Sequence, residues 1–131
     1  MSLQSYQATQ RSTESPRSTE YRLFAQVTRS MMENRDAGPA KLFDALEWNR
    51  KVWLTLQGDL AHPGNRLPDK LKGQLISLSL WVERHTSKVI QGKARIEALI
   101  DVNRSIMEGL AASAAATTAG AGKGLSNRTA A

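Results

Sequence analysis

Apolar residues recur along this chain at steps of three and four, the spacing of one face of an α-helix. The densest run is Leu75-Ile76-Ser77-Leu78-Ser79-Leu80-Trp81-Val82, continuing through Glu83 to Ile90. As a helix it carries two ridges. Leu71, Leu75, Leu78, Val82, His85 and Val89 form one, and Ile76 and Leu80 form the other. A surface helix ordinarily has a single stripe, so this segment is expected to be the central helix. The first ridge would then face the core, and Ile76 and Leu80 would meet either a fourth helix or a partner. The alternation from Leu75 to Leu80 also suits a strand, but the flanking pattern is helical and no second strand is there to pair with.

Three more helices follow from the same periodicity. Ser15-Pro16 is a good helix start, with Ser as cap and Pro at the first position. Leu23, Phe24, Val27, Thr28 and Met31 then share a face, with Tyr21 and Met32 at its edge. Gly38-Pro39 stops this helix near Arg35. The second helix is expected from about Ala40 to Ala61, with the stripe Leu42, Ala45, Leu46, Asn49, Val52, Trp53, Leu56 and Leu60. Roughly 22 residues make it about 33 Å long, and His62-Pro63-Gly64-Asn65 breaks it. Leu67-Pro68-Asp69 opens the third helix, which Gly92 ends. The fourth is expected over about Ala94 to Leu110, with the stripe Ile96, Leu99, Ile100, Asn103, Ile106, Met107 and Leu110. Short connections make neighbouring helices antiparallel. The expected fold is therefore all-α, an antiparallel up-down bundle of about four helices. Residues 1–14 form a polar N-terminal arm, 15–110 the helical domain, and 111–131 a low-complexity, disordered C-terminal tail interrupted by Gly120, Gly122 and Gly124.

Two stripes carry an asparagine at mid-length. Leu46-Glu47-Trp48-Asn49-Arg50-Lys51-Val52-Trp53 and Ile100-Asp101-Val102-Asn103-Arg104-Ser105-Ile106-Met107 share one pattern: apolar, acid, apolar, Asn, Arg, any, apolar, apolar. Chance likeness between amphipathic helices stands slightly ahead of duplication as the account of this. A buried asparagine without partners costs about 1–3 kcal/mol, and polar residues on an apolar seam fix helix register. Asn49 and Asn103 are accordingly expected to hold the helices in position, through each other or through a backbone carbonyl. His85 is read as a hydrogen-bonded structural member of the same polar seam.

Trp53 belongs to the core stripe, whereas Trp48 and Trp81 stand on flanks, where large aromatics serve as contact anchors. Phe43 and Leu54 form a further apolar pair off the second stripe. With Ile76 and Leu80 they exceed what one small core needs. Two readings stand: the bundle wraps around the third helix, or these residues line a groove for an amphipathic partner helix. The candidate partner-binding set is Ile76, Leu80, Trp81, Trp48, Phe43 and Leu54.

Composition narrows the classes. The 131 residues suit one domain. Lys and Arg number 18 against 12 acids, a net charge of +6, and the basic residues are dispersed. Arg66, Lys70, Lys72, Arg84, Lys88, Lys93 and Arg95 could touch phosphate, but no recognition-helix turn or interleaved stacking aromatics accompany them. A solvated face is the better reading, and direct nucleic-acid binding is not expected. The chain has no cysteine, which excludes disulfides and thiolate metal sites. Its first residues lack a secretion pattern, and the apolar run is far short of the ~20 residues of a membrane span. A cytoplasmic protein without membrane partner is expected.

Signs of catalysis are sparse. The two histidines, His62 in a turn and His85 on a helix, make no paired metal motif. No nucleophile elbow occurs. Gly120-Ala121-Gly122-Lys123-Gly124 lacks the first glycine, the following Ser or Thr, and the preceding strand of a phosphate loop. Asn103-Arg104-Ser105 and Asn127-Arg128-Thr129 match glycosylation sequons but lack the secretory context that would use them. No catalytic residue, metal or cofactor is expected, and the chain is read as a non-enzyme.

Several stretches together resemble the FlaF family of flagellar regulators. They are Glu14-Ser15-Pro16-Arg17, Trp48-Asn49-Arg50, the segment from Leu75 through Trp81-Val82-Glu83-Arg84-His85 to Val89, and Asp101-Val102-Asn103-Arg104-Ser105-Ile106-Met107-Glu108-Gly109-Leu110. The resemblance covers the chain up to Leu110, and the tail departs from it. It implies a non-enzymatic cytoplasmic protein of bacterial flagellum biogenesis. Such a protein promotes flagellin synthesis and secretion after transcription, in opposition to the FlbT family of repressors, and engages flagellin as an export chaperone would. Direct action on flagellin mRNA, or an adaptor role toward an FlbT-type protein, are the alternatives.

Overall fold

The computed structural model describes the backbone of residues 16–123 and the side chains of residues 19–112. The expected N-terminal arm, the Ser15 cap and residues 124–131 lie outside the described residues. Within them the fold is all-helical: α1 Pro16–Asn34, α2 Pro39–Ala61, α3 Asp69–Ile90 and α4 Glu97–Lys123.

The breaks between helices follow from local chemistry. Gly38 adopts φ 104°, a left-handed conformation that suits glycine, and Pro39 then opens α2 where its missing N–H costs nothing. After α2 the chain turns on its own side chains: the Gly64 N–H donates to His62 Nδ1 at 2.9 Å and the Leu67 N–H to Asn65 Oδ1 at 3.0 Å. Asp69 sits in the first turn of α3, where a carboxylate complements the helix dipole. At the other end of α3 the Gly92 N–H bonds the Val89 carbonyl and the Lys93 N–H the Lys88 carbonyl, with Gly92 at φ 74°. That is a Schellman closure with glycine at its left-handed position.

Two element limits depart from expectation. α4 starts at Glu97, with the Ile96 carbonyl accepting the N–H groups of Leu99 and Ile100. It also continues to Lys123, so residues 111–123 are helical where a disordered tail was expected. Alanine has the highest helix propensity, and the Ala-rich composition outweighs the glycines along that stretch.

The hub of the fold is α1 with α2. α1 packs against both α4 and α2, whereas α3 packs mainly on α2 and touches α4 lightly. The expectation that Leu75–Ile90 forms the central helix is thus corrected. The fully buried large side chains, Met31, Val27, Leu46, Trp53 and Leu99, come from the other three helices, with Val82 as the main contribution from α3. Phe24 meets Trp53 edge-on, ring centroids 5.3 Å apart, at the centre of this core.

The buried face of α3 also differs from the expected ridge. It is Ser79, Val82, Thr86 and Val89. Leu75 and Leu78 are half-buried and Leu71 is exposed. Ser79 and Thr86 can be buried because each hydroxyl donates to a carbonyl of its own helix, Ser79 to Ile76 at 2.7 Å and Thr86 to Val82 at 2.6 Å.

Candidate functional site

Asn49 of α2 and Asn103 of α4 are both fully buried, and they hydrogen-bond each other: Asn103 Nδ2 donates to Asn49 Oδ1 at 2.8 Å. Asn103 Nδ2 also donates to Thr28 Oγ1 of α1 at 3.1 Å, while Asn103 Oδ1 accepts from Trp53 Nε1 at 2.9 Å. The Thr28 hydroxyl passes its own hydrogen to the Phe24 carbonyl at 2.6 Å. The amide orientations follow from the indole, which can only donate. Trp53 forces Asn103 to present its oxygen on that side. Both hydrogens of its Nδ2 are then left for Thr28 and Asn49, and Asn49 must answer with its oxygen. The Asn49 amide nitrogen is consequently left buried with no partner. One polar node therefore ties α1, α2 and α4 together. Thr28 and Trp53 were legible in the sequence only as members of apolar stripes.

His85 stands apart from that node. It is half-buried, stacks on Trp81 with centroids 4.7 Å apart, and has Nε2 2.9 Å from the Arg95 carbonyl in the α3–α4 connection. Nε2–H is therefore the donor, and the ring pins the connection to α3.

The expected partner-binding residues divide into three places. Phe43 and Leu54 of α2 and Leu80 of α3 are exposed, and Ile76 is half-buried. Phe43 lines a groove of about 430 Å³ together with Val89 and Ile90, and Ile90 is itself 47% exposed. Arg50 bridges the two helices, with Nε 3.1 Å from Glu47 and Nη1 3.6 Å from Glu83. Leu54 lies one turn beyond Arg50 on α2, and Leu80 one turn before Glu83 on α3. Phe43, Arg50 and Leu54 therefore share one face of α2, Arg50 links that face to Glu83 of α3, and Phe43 and Ile90 line one groove. Trp48 is elsewhere, on the opposite flank of α2, in a groove with Arg22, Arg29 and Glu33 of α1. Trp81 takes the other flank of α3, beside Lys70, Gln74 and Leu78. The six residues do not form one surface. Helical spacing places Trp81 about 100° from Leu80, so adjacency in sequence separates them in space.

The α3 face between Leu80 and Trp81 is basic, with Arg84 and Lys88 exposed one turn apart. Lys72 is taken up by the Asn65 carbonyl at 2.7 Å. Among the described residues no group of three or more His, Cys, Asp or Glu could hold a metal ion, and no helix is long and apolar enough to cross a membrane.

The family model described as flagellar protein FlaF matches residues 2–110. The chain belongs to the FlaF family. Membership implies a role in flagellar biogenesis. No curated protein and no solved structure matches the chain. The FlaF match takes in the polar node, the α2–α3 flank and both flanking tryptophans, and it ends thirteen residues before α4 does.

Proposed function

We propose that this FlaF-family protein is a non-enzymatic, cytoplasmic chaperone for flagellin. It would cover an aggregation-prone segment of the unexported protein and so couple flagellin synthesis to secretion. We read the four helices as an antiparallel up-down bundle, supported by contacts that run in opposite chain directions: Arg35 meets Glu97 while Thr28 meets Asn103. The observation that carries the function is the set of exposed apolar side chains, Phe43, Leu54, Leu80 and Ile90, on α2 and α3. Covering the open half of four such side chains is worth roughly 3–6 kcal/mol. Association itself costs a comparable amount, about 4 kcal/mol or more. Capture should therefore be weak and reversible, which suits a client that must be handed on for export.

The test is co-purification of flagellin with the tagged chain, repeated with Leu54→Ser and Leu80→Ser together. Loss of the flagellin band with helicity and melting temperature retained is the expected result. A gel shift with flagellin-leader RNA over a salt series is run beside it. RNA binding that resists salt, in the absence of flagellin binding, would overturn the proposal in favour of direct action on the message. Capture of an FlbT-type protein alone would place the surface in an adaptor instead.

A further inference from the structure

A second opening lies away from the α2–α3 flank and shares no lining residue with it. Between all four helices, where the end of α2 meets the start of α3, a groove of about 250 Å³ is walled by Leu56, Leu71, Leu75 and Ile106. Leu71 and Leu75 belong to the ridge that periodicity sends to the core. They remain exposed and half-buried because this end of the bundle is open.

Two further observations bear on what fits there. The groove's charged lining residues are both acidic, Glu20 and Asp59, on a chain whose net charge is +6. Gly109 of α4 also lines it, and a Cβ built there would meet no atom within 4 Å. Its φ is not positive, so neither backbone nor packing demands glycine. An alanine would favour the helix by about 1 kcal/mol. A large side chain at this position would project into the open space that Gly109 borders. The volume falls below the ~300–1,000 Å³ of small-molecule sites and admits about two aliphatic side chains, as a helix presents them at i and i+3 or i+4.

We propose that this groove receives the apolar face of an amphipathic helix from a partner protein, with a lysine or arginine beside the aliphatic anchors to meet Asp59. The inference does not depend on flagellin being the client.

The experiment uses the full chain and two labelled amphipathic helical peptides with one leucine face, flanked by lysines in one and by glutamates in the other. Fluorescence anisotropy should show the lysine peptide binding at least about tenfold more tightly, a difference of about 1.4 kcal/mol. Asp59→Asn should cut that preference severalfold. Gly109→Leu should abolish binding while leaving the melting temperature equal or higher, so the loss cannot be laid to unfolding. The flank variant with Leu54→Ser and Leu80→Ser should bind the lysine peptide normally. Equal binding of the two peptides, binding that survives Gly109→Leu, or binding lost in the flank variant would each overturn the proposal. So would self-association in size-exclusion chromatography that Gly109→Leu removes, which would make a second copy the occupant.

Discussion

Asn49 and Asn103 look equivalent in the sequence and are not equivalent in the fold. Asn103 uses its oxygen and both amide hydrogens, toward Trp53, Thr28 and Asn49. Asn49 uses only its oxygen and leaves a buried nitrogen without a partner. Asn103→Leu would strand the Trp53 indole N–H and the Asn49 oxygen, and should lower stability by about 2–4 kcal/mol. Asn49→Leu strands one hydrogen of Asn103 but also removes the unpaired Asn49 nitrogen. Its cost should be smaller by about 1–3 kcal/mol. Urea denaturation of the two variants checks this, and equal losses would contradict the assigned orientations. That each needs a partner was legible beforehand, because an asparagine in the middle of an apolar stripe must find one; that they choose each other rather than a backbone carbonyl was not. Thr28 and Trp53 were not, because both fit an apolar stripe without their polar atoms being considered.

At the scale of the element, α3 is the helix that reads least well from its composition. It has the densest apolar run, yet Leu71, Leu80 and Ile90 are exposed and its buried face includes Ser79 and Thr86. A helix held mainly by one neighbour and with few large buried side chains should open locally before the rest. Native-state hydrogen exchange should show the middle amides of α3 exchanging at least about tenfold faster than those of α1, which packs on two helices. Uniform protection across the helices would sink this. Helix ends were legible to within a few residues, since Gly38-Pro39, His62-Pro63 and Gly92 act through their own backbone geometry. The end of α4 was not, because glycine and alanine compete there and the balance of propensities over a whole segment decides.

For the molecule as a whole, Glu97 joins the end of α1 to the start of α4, with Oε1 3.4 Å from Arg35 and Oε2 3.5 Å from Arg95. Its own backbone N–H, at the first turn of α4, holds its carboxyl below the ordinary value of 4.5, and the Arg95 and Arg35 charges add to this against a partial opposing effect of burial. A lowered folded-state value means the stabilisation is present above the ordinary value and fades as pH falls through the lowered one. The melting temperature of Glu97→Gln should therefore fall below that of the parent at about pH 6, and the gap should close toward about pH 3. A gap that is constant with pH would show that the carboxylate charge is not what matters. The effect should be small, since the pair is partly exposed and screened.

The sequence by itself determined the helical class, the places where helices break, the need of Asn49 and Asn103 for buried partners, and the FlaF resemblance. Each of these depends on spacing along one segment or on residues read in order. The tertiary structure alone decided that α1 and α2 form the hub, and that Phe43 and Ile90 line one groove while Trp48 and Trp81 line others. It also decided that Gly109 borders an open groove. Helical periodicity says which residues share a face of one helix. Which faces meet depends on packing between helices, and buried residues such as Ser79 and Thr86, whose hydroxyls bond within their own helix, leave no mark in an apolar pattern.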